Sequence, residues 1–234
     1  AFVQTIVYSC IAVMLVGFML NLGVSQIEKV YLEWPSEVVT VNDRQLEVYC
    51  VGNKESDTLL FVCPGFTQSI FQVANLQRAM RKYKPGIRTC TYNKIGRGRS
   101  SGTVNATDIT RNMDDLRSLI ERERNSKDTK VIVASHSSAS LLTMSVMLQD
   151  KYYKNVDGLV FLEPVPLAMF DEDMKEQAET LIGYAERICH IAHVSVVIGL
   201  GRIAGLLKLE LLYKHVPEDL YPIWTHVINQ GKNW

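Results

Sequence analysis

At 234 residues the chain is long enough for one substantial core, and its 25 basic residues are balanced by 25 acidic ones. The lack of net charge speaks against nucleic acid as a partner. Five cysteines (Cys10, Cys50, Cys63, Cys90 and Cys189) show neither CxxC nor Cys/His ligand spacing, so no metal and no other cofactor is expected.

The amino end, "AFVQTIVYSCIAVMLVGFMLNLGVSQ", carries no charge before Glu28 and is almost wholly apolar from Ile6 to Leu20. About 20 apolar residues span a bilayer. Residues 3–23 therefore read as a transmembrane helix inside an anchor of residues 1–25, which makes the protein single-pass with the lipid bilayer as a partner. A signal peptide would begin with a basic region and end at a small-residue cleavage site, and neither is convincing. A buried core helix this long and uniformly apolar is uncommon. The positive-inside rule cannot orient the anchor without the residues before Ala1.

"SEVVTVNDRQLEVYCVG" (36–52) alternates apolar and polar residues around Asn42-Asp43, the pattern of a β-hairpin. "TLLFVC" (58–63) is a continuous apolar run, the kind buried on both faces of a parallel sheet. Residues 70–83 put Val73, Leu76 and Met80 on one helical face, and "GIRTCTYN" (86–93) is a further strand. A Gly-rich loop, "KIGRGRSSG", precedes a second helix striped by Ile109, Met113, Leu116, Leu119 and Ile120. "KVIVA" (130–134) is a strand, 138–150 a helix, and "VDGLVFLEP" (156–164) a strand again. Cys63 and Cys90, set in apolar runs, read as small core residues, and the odd cysteine count argues against a full disulfide framework.

A hairpin followed by repeated βα units predicts an α/β sheet with helices on both faces and ligands at the carboxyl ends of its strands. From Pro166 onward the pattern turns to successive helices. The most apolar of them, 188–212, is interrupted by His193, Arg202, Lys208 and Glu210 and reads as an amphipathic lid rather than a second span. "GLGRIAG" (199–205) lacks the GxGxxG spacing and a preceding strand, so it is not taken as a nucleotide loop.

Three strand ends should converge. Pro64-Gly65-Phe66 brings a glycine to the end of the 58–63 strand, where backbone N–H groups can approach a ligand. "NKIGRGRSSG" (93–102) lacks the GK[ST] ending of a phosphate loop and reads as structural. "KVIVASHSSASLL" (130–142) has the strand, turn and helix of a nucleophile elbow. Such a turn needs small residues two places before and after the nucleophile. Ser135 and Ala139 meet that requirement around Ser137, although glycine is usual at both. The Ser138 amide would then form half of an oxyanion hole and a backbone N–H at Phe66 the other half. His136, adjacent in sequence, is expected to point away from Ser137.

"FVCPGF", "YNKIGRGRSSG", "VIVASHSSAS" and "LVFLEPVP", in that order and spacing, resemble the α/β-hydrolase fold superfamily over about residues 36–166. The resemblance implies a mostly parallel α/β-hydrolase sheet with flanking helices as a core of residues 36–166, and a helical cap at 167–234. The family's last strands are not visible in the sequence. It also implies a triad in chain order Ser, acid, His. Glu163, after the 158–162 strand, sits where some lipases of the family carry the acid, and it reads equally as a residue beside the cap hinge. His190, His193, His215 and His226 fall on cap-like helices, so the base is expected beyond Trp234 or from another chain.

Two readings stay open. One is a membrane-anchored serine hydrolase of ester-like lipophilic substrates, with Ser137 as nucleophile. The other is a non-catalytic α/β-hydrolase-fold subunit of a membrane assembly, whose partner subunits would cover an open sheet edge. A glycosylation sequon, Asn105-Ala106-Thr107, falls in a predicted loop; a glycan there would place the domain on the luminal or extracellular side.

Overall fold

The computed structural model describes residues 2–65, 68–102, 109–147, 156–165 and 216–228, with 183–184, 187, 191, 195–197, 200 and 202. The chain forms two compact units, one of Pro35–Met169 and one of Ala1–Trp34 with Phe170–Trp234.

The first of these is built on a six-stranded sheet in the order β1-β2-β4-β3-β5-β6. Strands β1 (Glu37–Val41) and β2 (Arg44–Val51) make the expected hairpin, with Val41 opposite Arg44. Its two-residue turn needs positive φ twice, and Asn42 (47°) and Asp43 (63°) supply it with the short polar side chains that tolerate that region. Asp115 fixes the turn from outside, accepting from Asn42 Nδ2 at 3.1 Å and pairing with Arg44 at 2.8 Å.

Strand β2 runs antiparallel to β4 (Ile87–Tyr92), while β4, β3 (Thr58–Cys63), β5 (Lys130–His136) and β6 (Gly158–Leu162) are mutually parallel. The apolar run of β3 is central and buried on both faces, as expected of such a strand. Alternate residues feed two cores. Leu59, Phe61 and Cys63 pack with Leu116, Leu119 and Ile120 of α3 (Ile109–Glu123). Leu60 and Val62 pack with Val73, Leu76 and Met80 of α2 (Ile70–Tyr83). Each such side chain contributes ~1.5–3 kcal/mol when fully buried. A capping box starts α2: the Ser69 hydroxyl accepts from Phe71 N at 3.3 Å, and the Gln72 carboxamide accepts from Ser69 N at 2.8 Å.

Chain order reverses at β3, since β4 lies on one side of it and β5 on the other. A ligand site is therefore expected outside the carboxyl ends of β3 and β5. The other edge strand, β6, leaves Val160, Phe161 and Leu162 exposed.

Cys90 is buried in the core, as expected, and the structure adds a bond that the sequence did not show. Cys90 faces Cys50 directly across the β2–β4 pair and is joined to it in a disulfide. Among the described residues Cys63 is the buried free cysteine, and burial pushes its thiol up to about 12.

In the other unit, α1 (Phe2–Tyr31) is longer than the expected span of 3–23. It is the one helix among the described residues that is long and apolar enough to cross a bilayer, and its apolar part is exposed. Its last three turns carry a polar stripe, Asn21, Ser25 and Glu28, at helical spacing. Arg202 donates to all three: Nε to Asn21 Oδ1 at 2.8 Å, Nη2 to Ser25 Oγ at 2.8 Å, and Nη1 to Glu28 Oε1 at 2.6 Å. Most of the expected cap, including 188–190 and 203–212, lies outside the described residues. The last helix among the described residues, α5 (Tyr221–Ile228), follows a 3-10 turn at Glu218–Leu220.

Candidate active site

Strand β5 ends at His136, and α4 (Ala139–Met147) begins three residues later. Ser137 stands between them at φ 52°, in the left-handed region that non-glycine residues seldom occupy. The strain is held by its neighbours. Ser137 N donates to Leu162 O at 3.0 Å, which extends the β5–β6 ladder through the turn. Its carbonyl accepts from Ser140 N at 3.0 Å and from the Ser140 hydroxyl at 2.6 Å. The same hydroxyl accepts from Val165 N at 3.1 Å, tying the elbow to the segment after β6.

Ser135 and Ala139 are fully buried, as the small-residue requirement predicts. Ser135 does more than leave space, because its hydroxyl lies 2.8 Å from that of Thr143 on α4. The Ser138 N–H precedes the first turn of α4, where helix geometry offers it no intrahelical acceptor. Ser137 and Ser138 are themselves half-buried and so reachable from solvent.

The end of β3 closes on this turn. A Cβ at Gly65 would lie 3.3 Å from Ser137 Cβ and 3.2 Å from both His136 Nδ1 and Gln68 Oε1, so glycine lets the two strand ends approach without crowding these side chains. The Gly65 amide donates to Gln68 Oε1 at 2.8 Å. Phe66, the expected second oxyanion donor, lies outside the described residues.

The loop at 93–102 is structural, and its organiser is Glu47, a fully buried carboxylate on β2. Oε1 accepts from Ser36 Oγ at 2.6 Å and Arg99 Nε at 3.0 Å, while Oε2 accepts from Asn93 Nδ2 at 2.7 Å and Arg99 N at 2.8 Å. Asn93 Oδ1 in turn accepts from Ile70 N at 3.1 Å, which links the loop to the start of α2. Arg99 and Gly98 of the motif thus serve an internal anion. Burial holds the neighbouring Lys94 ammonium below the usual lysine range.

Glu163, the acid candidate, also has positive φ (46°) and its exposed carboxylate lies 3.6 Å from His136 Nε2. His136 Nδ1 is buried beside Gly65 without a hydrogen-bond partner among the described residues. No hydrogen bond joins either residue to Ser137 among the described residues. The structure therefore assembles Ser137, Ser138, Gly65 and the His136–Glu163 pair at one sheet edge. Of the histidines considered as base, His190, His193 and His215 lie outside the described residues. His226 is committed elsewhere in its own unit, with Nδ1 2.7 Å from Glu28 Oε2 and its ring edge-on to Trp34 at 5.8 Å.

Sequence reasoning missed Ser140, Thr143 and Glu47. Serine and threonine read as ordinary helix residues, and a glutamate within an alternating strand reads as solvent-facing.

The geometry can be set beside known proteins. No curated protein matches the sequence. Among solved structures, epoxide hydrolase A from Mycobacterium thermoresistibile is similar at 23% identity and a TM-score of 0.47, covering 56% of this chain and 40% of that one. A proline iminopeptidase-related protein from Thermus thermophilus is similar at 20% identity and a TM-score of 0.45, covering 57% and 45%. An epoxide hydrolase from Vigna radiata gives 19% and 0.47, covering 56% and 38%. This chain thus spans less than half the length of each of them. The family model described as serine aminopeptidase, S33, matches residues 54–188, more than half of the chain and all of the sheet from β3 to β6. The chain therefore belongs to the serine aminopeptidase S33 family of α/β-hydrolases.

Proposed function

We propose that the protein is a membrane-anchored serine hydrolase that cleaves ester-like, lipophilic substrates with Ser137 as nucleophile. The observation that carries this reading is the left-handed Ser137, fixed at the carboxyl end of β5 by three hydrogen bonds, to Leu162 O and from Ser140 N and Oγ. Non-glycine residues held in this region cluster at active sites, and a strand-to-helix turn is where a nucleophile elbow places its serine. In this reading Ser137 Oγ attacks the ester carbonyl, and the Ser138 and Phe66 amides hold the oxyanion that forms. A histidine outside the described residues takes the proton, and Glu163 is the acid candidate. The lipophilic substrate class follows from α1, whose apolar residues 3–20 are exposed as a bilayer span would be.

A second reading is favoured by one observation. The exposed Val160, Phe161 and Leu162 of β6 would suit a non-catalytic subunit whose sheet edge is covered by another membrane protein. Hydrolysis of nitrophenyl esters by the full-length protein in lipid discriminates between the two. Turnover that rises with acyl length and falls about a thousandfold or more in Ser137→Ala supports the hydrolase. No turnover by full-length protein that co-purifies with a stoichiometric subunit supports the other reading.

A further inference from the structure

Cys50 and Cys90 are separated by 40 residues in sequence yet face each other directly on neighbouring antiparallel strands. Their environment shows what kind of bond this is. Cys90 is fully buried, and Cys50 Sγ lies 3.5 Å from Glu123 Oε2, a carboxylate that is itself buried and paired with Arg88 at 2.6 Å. A thiol that takes part in disulfide exchange is exposed and lies in an electropositive setting that favours the thiolate. Here one sulfur is inaccessible and the other abuts an anion, so the bond is structural rather than redox-active. It ties the hairpin strand β2 to β4, and the loop it closes contains β3, Gly65 and α2.

We propose that Cys50–Cys90 is a permanent structural disulfide and that the Pro35–Met169 unit folds and works in an oxidising compartment, on the luminal or extracellular side of the membrane. Cytosolic thiol pools keep paired cysteines reduced, so a buried disulfide of this kind belongs to the secretory route. Two sequence features agree with that placement: an apolar helix near the amino end, and the Asn105-Ala106-Thr107 sequon in the same unit. Formation of the bond is balanced by a disulfide carrier of the glutathione or protein class. One cysteine thiolate attacks the carrier disulfide and releases a carrier thiol. The second thiolate then displaces the mixed disulfide and releases the other carrier thiol. The pair is oxidised by two electrons and the carrier is reduced by two.

The inference does not depend on catalysis, nor on whether α1 remains attached. It is tested on the full-length protein in native membranes, with free thiols trapped by N-ethylmaleimide at lysis and the unreduced protein digested for mass spectrometry. The proposal predicts a Cys50 peptide linked to a Cys90 peptide, neither carrying maleimide and the two separating on reduction. It also predicts that a protease added to sealed, cytosol-side-out vesicles leaves the unit intact. Maleimide on both cysteines overturns it, and zinc bound to those free thiols would reassign Cys50, Cys90 and Glu123 as a metal site. Digestion of the unit in sealed vesicles overturns the sidedness.

Discussion

Gly98→Ala perturbs the internal anion that shapes the loop at 93–102, and its cost can be worked from the structure. Gly98 has φ 50°, where an L side chain costs ~1–2 kcal/mol. A Cβ there would overlap both Asn93 Nδ2 and Glu47 Oε2 and lie 3.2 Å from Asn93 Cγ. One of the two bonds to Glu47 Oε2, from Asn93 Nδ2 at 2.7 Å or Arg99 N at 2.8 Å, must then break. Losing a hydrogen bond to a buried charge costs ~1.5–3 kcal/mol. The sum, about 2.5–5 kcal/mol, is a large share of the ~5–15 kcal/mol that holds a typical domain together. Gly158→Ala is the control, because its Cβ would meet only Ile132 at 3.8 Å, an ordinary contact, and should stay within ~0.5 kcal/mol of wild type. Denaturant unfolding of the full chain, followed by far-ultraviolet circular dichroism, measures both. The three tryptophans, Trp34, Trp224 and Trp234, all lie in the other unit and would not report on this one. If Gly98→Ala unfolds at the same denaturant concentration as Gly158→Ala, Glu47 does not organise the loop as described.

Other outcomes follow from the same contacts. Ser140→Ala removes the hydroxyl that donates to Ser137 O at 2.6 Å and accepts from Val165 N at 3.1 Å, and should cost about 2 kcal/mol; an unchanged unfolding midpoint would contradict its role in holding the elbow. Arg88→Ala leaves buried Glu123 with Arg122 as its remaining arginine and should destabilise by about 3 kcal/mol, read from the same unfolding curves. Cys63 keeps its proton to about pH 12 in the folded chain, whereas an unfolded thiol loses it near 9. The unfolded state therefore binds fewer protons between those values, and stability falls as pH rises through that window. Cys63→Ala should flatten that decline in unfolding titrations, and native Cys63 should resist iodoacetamide at pH 8 until denaturant is added.

Those features divide sharply in how far the sequence reveals them. The hairpin turn was legible because Asn42-Asp43 is a pair that accepts positive φ twice, and β3 because its apolar run has strand length. The elbow was legible because its requirement is local: small residues at 135 and 139, a β-branched strand before and a helix after. Glu47 was not, since its donors come from residues 36, 93 and 99 and nothing in a five-residue window distinguishes it from an exposed strand glutamate. The Cys50–Cys90 bond was hidden for the same reason, being created by strand register rather than by spacing. The clamp of Arg202 on Asn21, Ser25 and Glu28 joins positions more than 170 residues apart, and Arg202 read only as an interruption of an apolar segment. Contacts set by tertiary register leave no periodic trace in the sequence.

The central claim is that the strained Ser137 is an active nucleophile. Labelling of the full-length protein in its membranes with a fluorophosphonate probe tests it most directly. The account predicts one covalent adduct, on Ser137, that is absent in Ser137→Ala and retained in Ser135→Ala. A folded, full-length protein that takes up no probe, or takes it up at another serine, would contradict it.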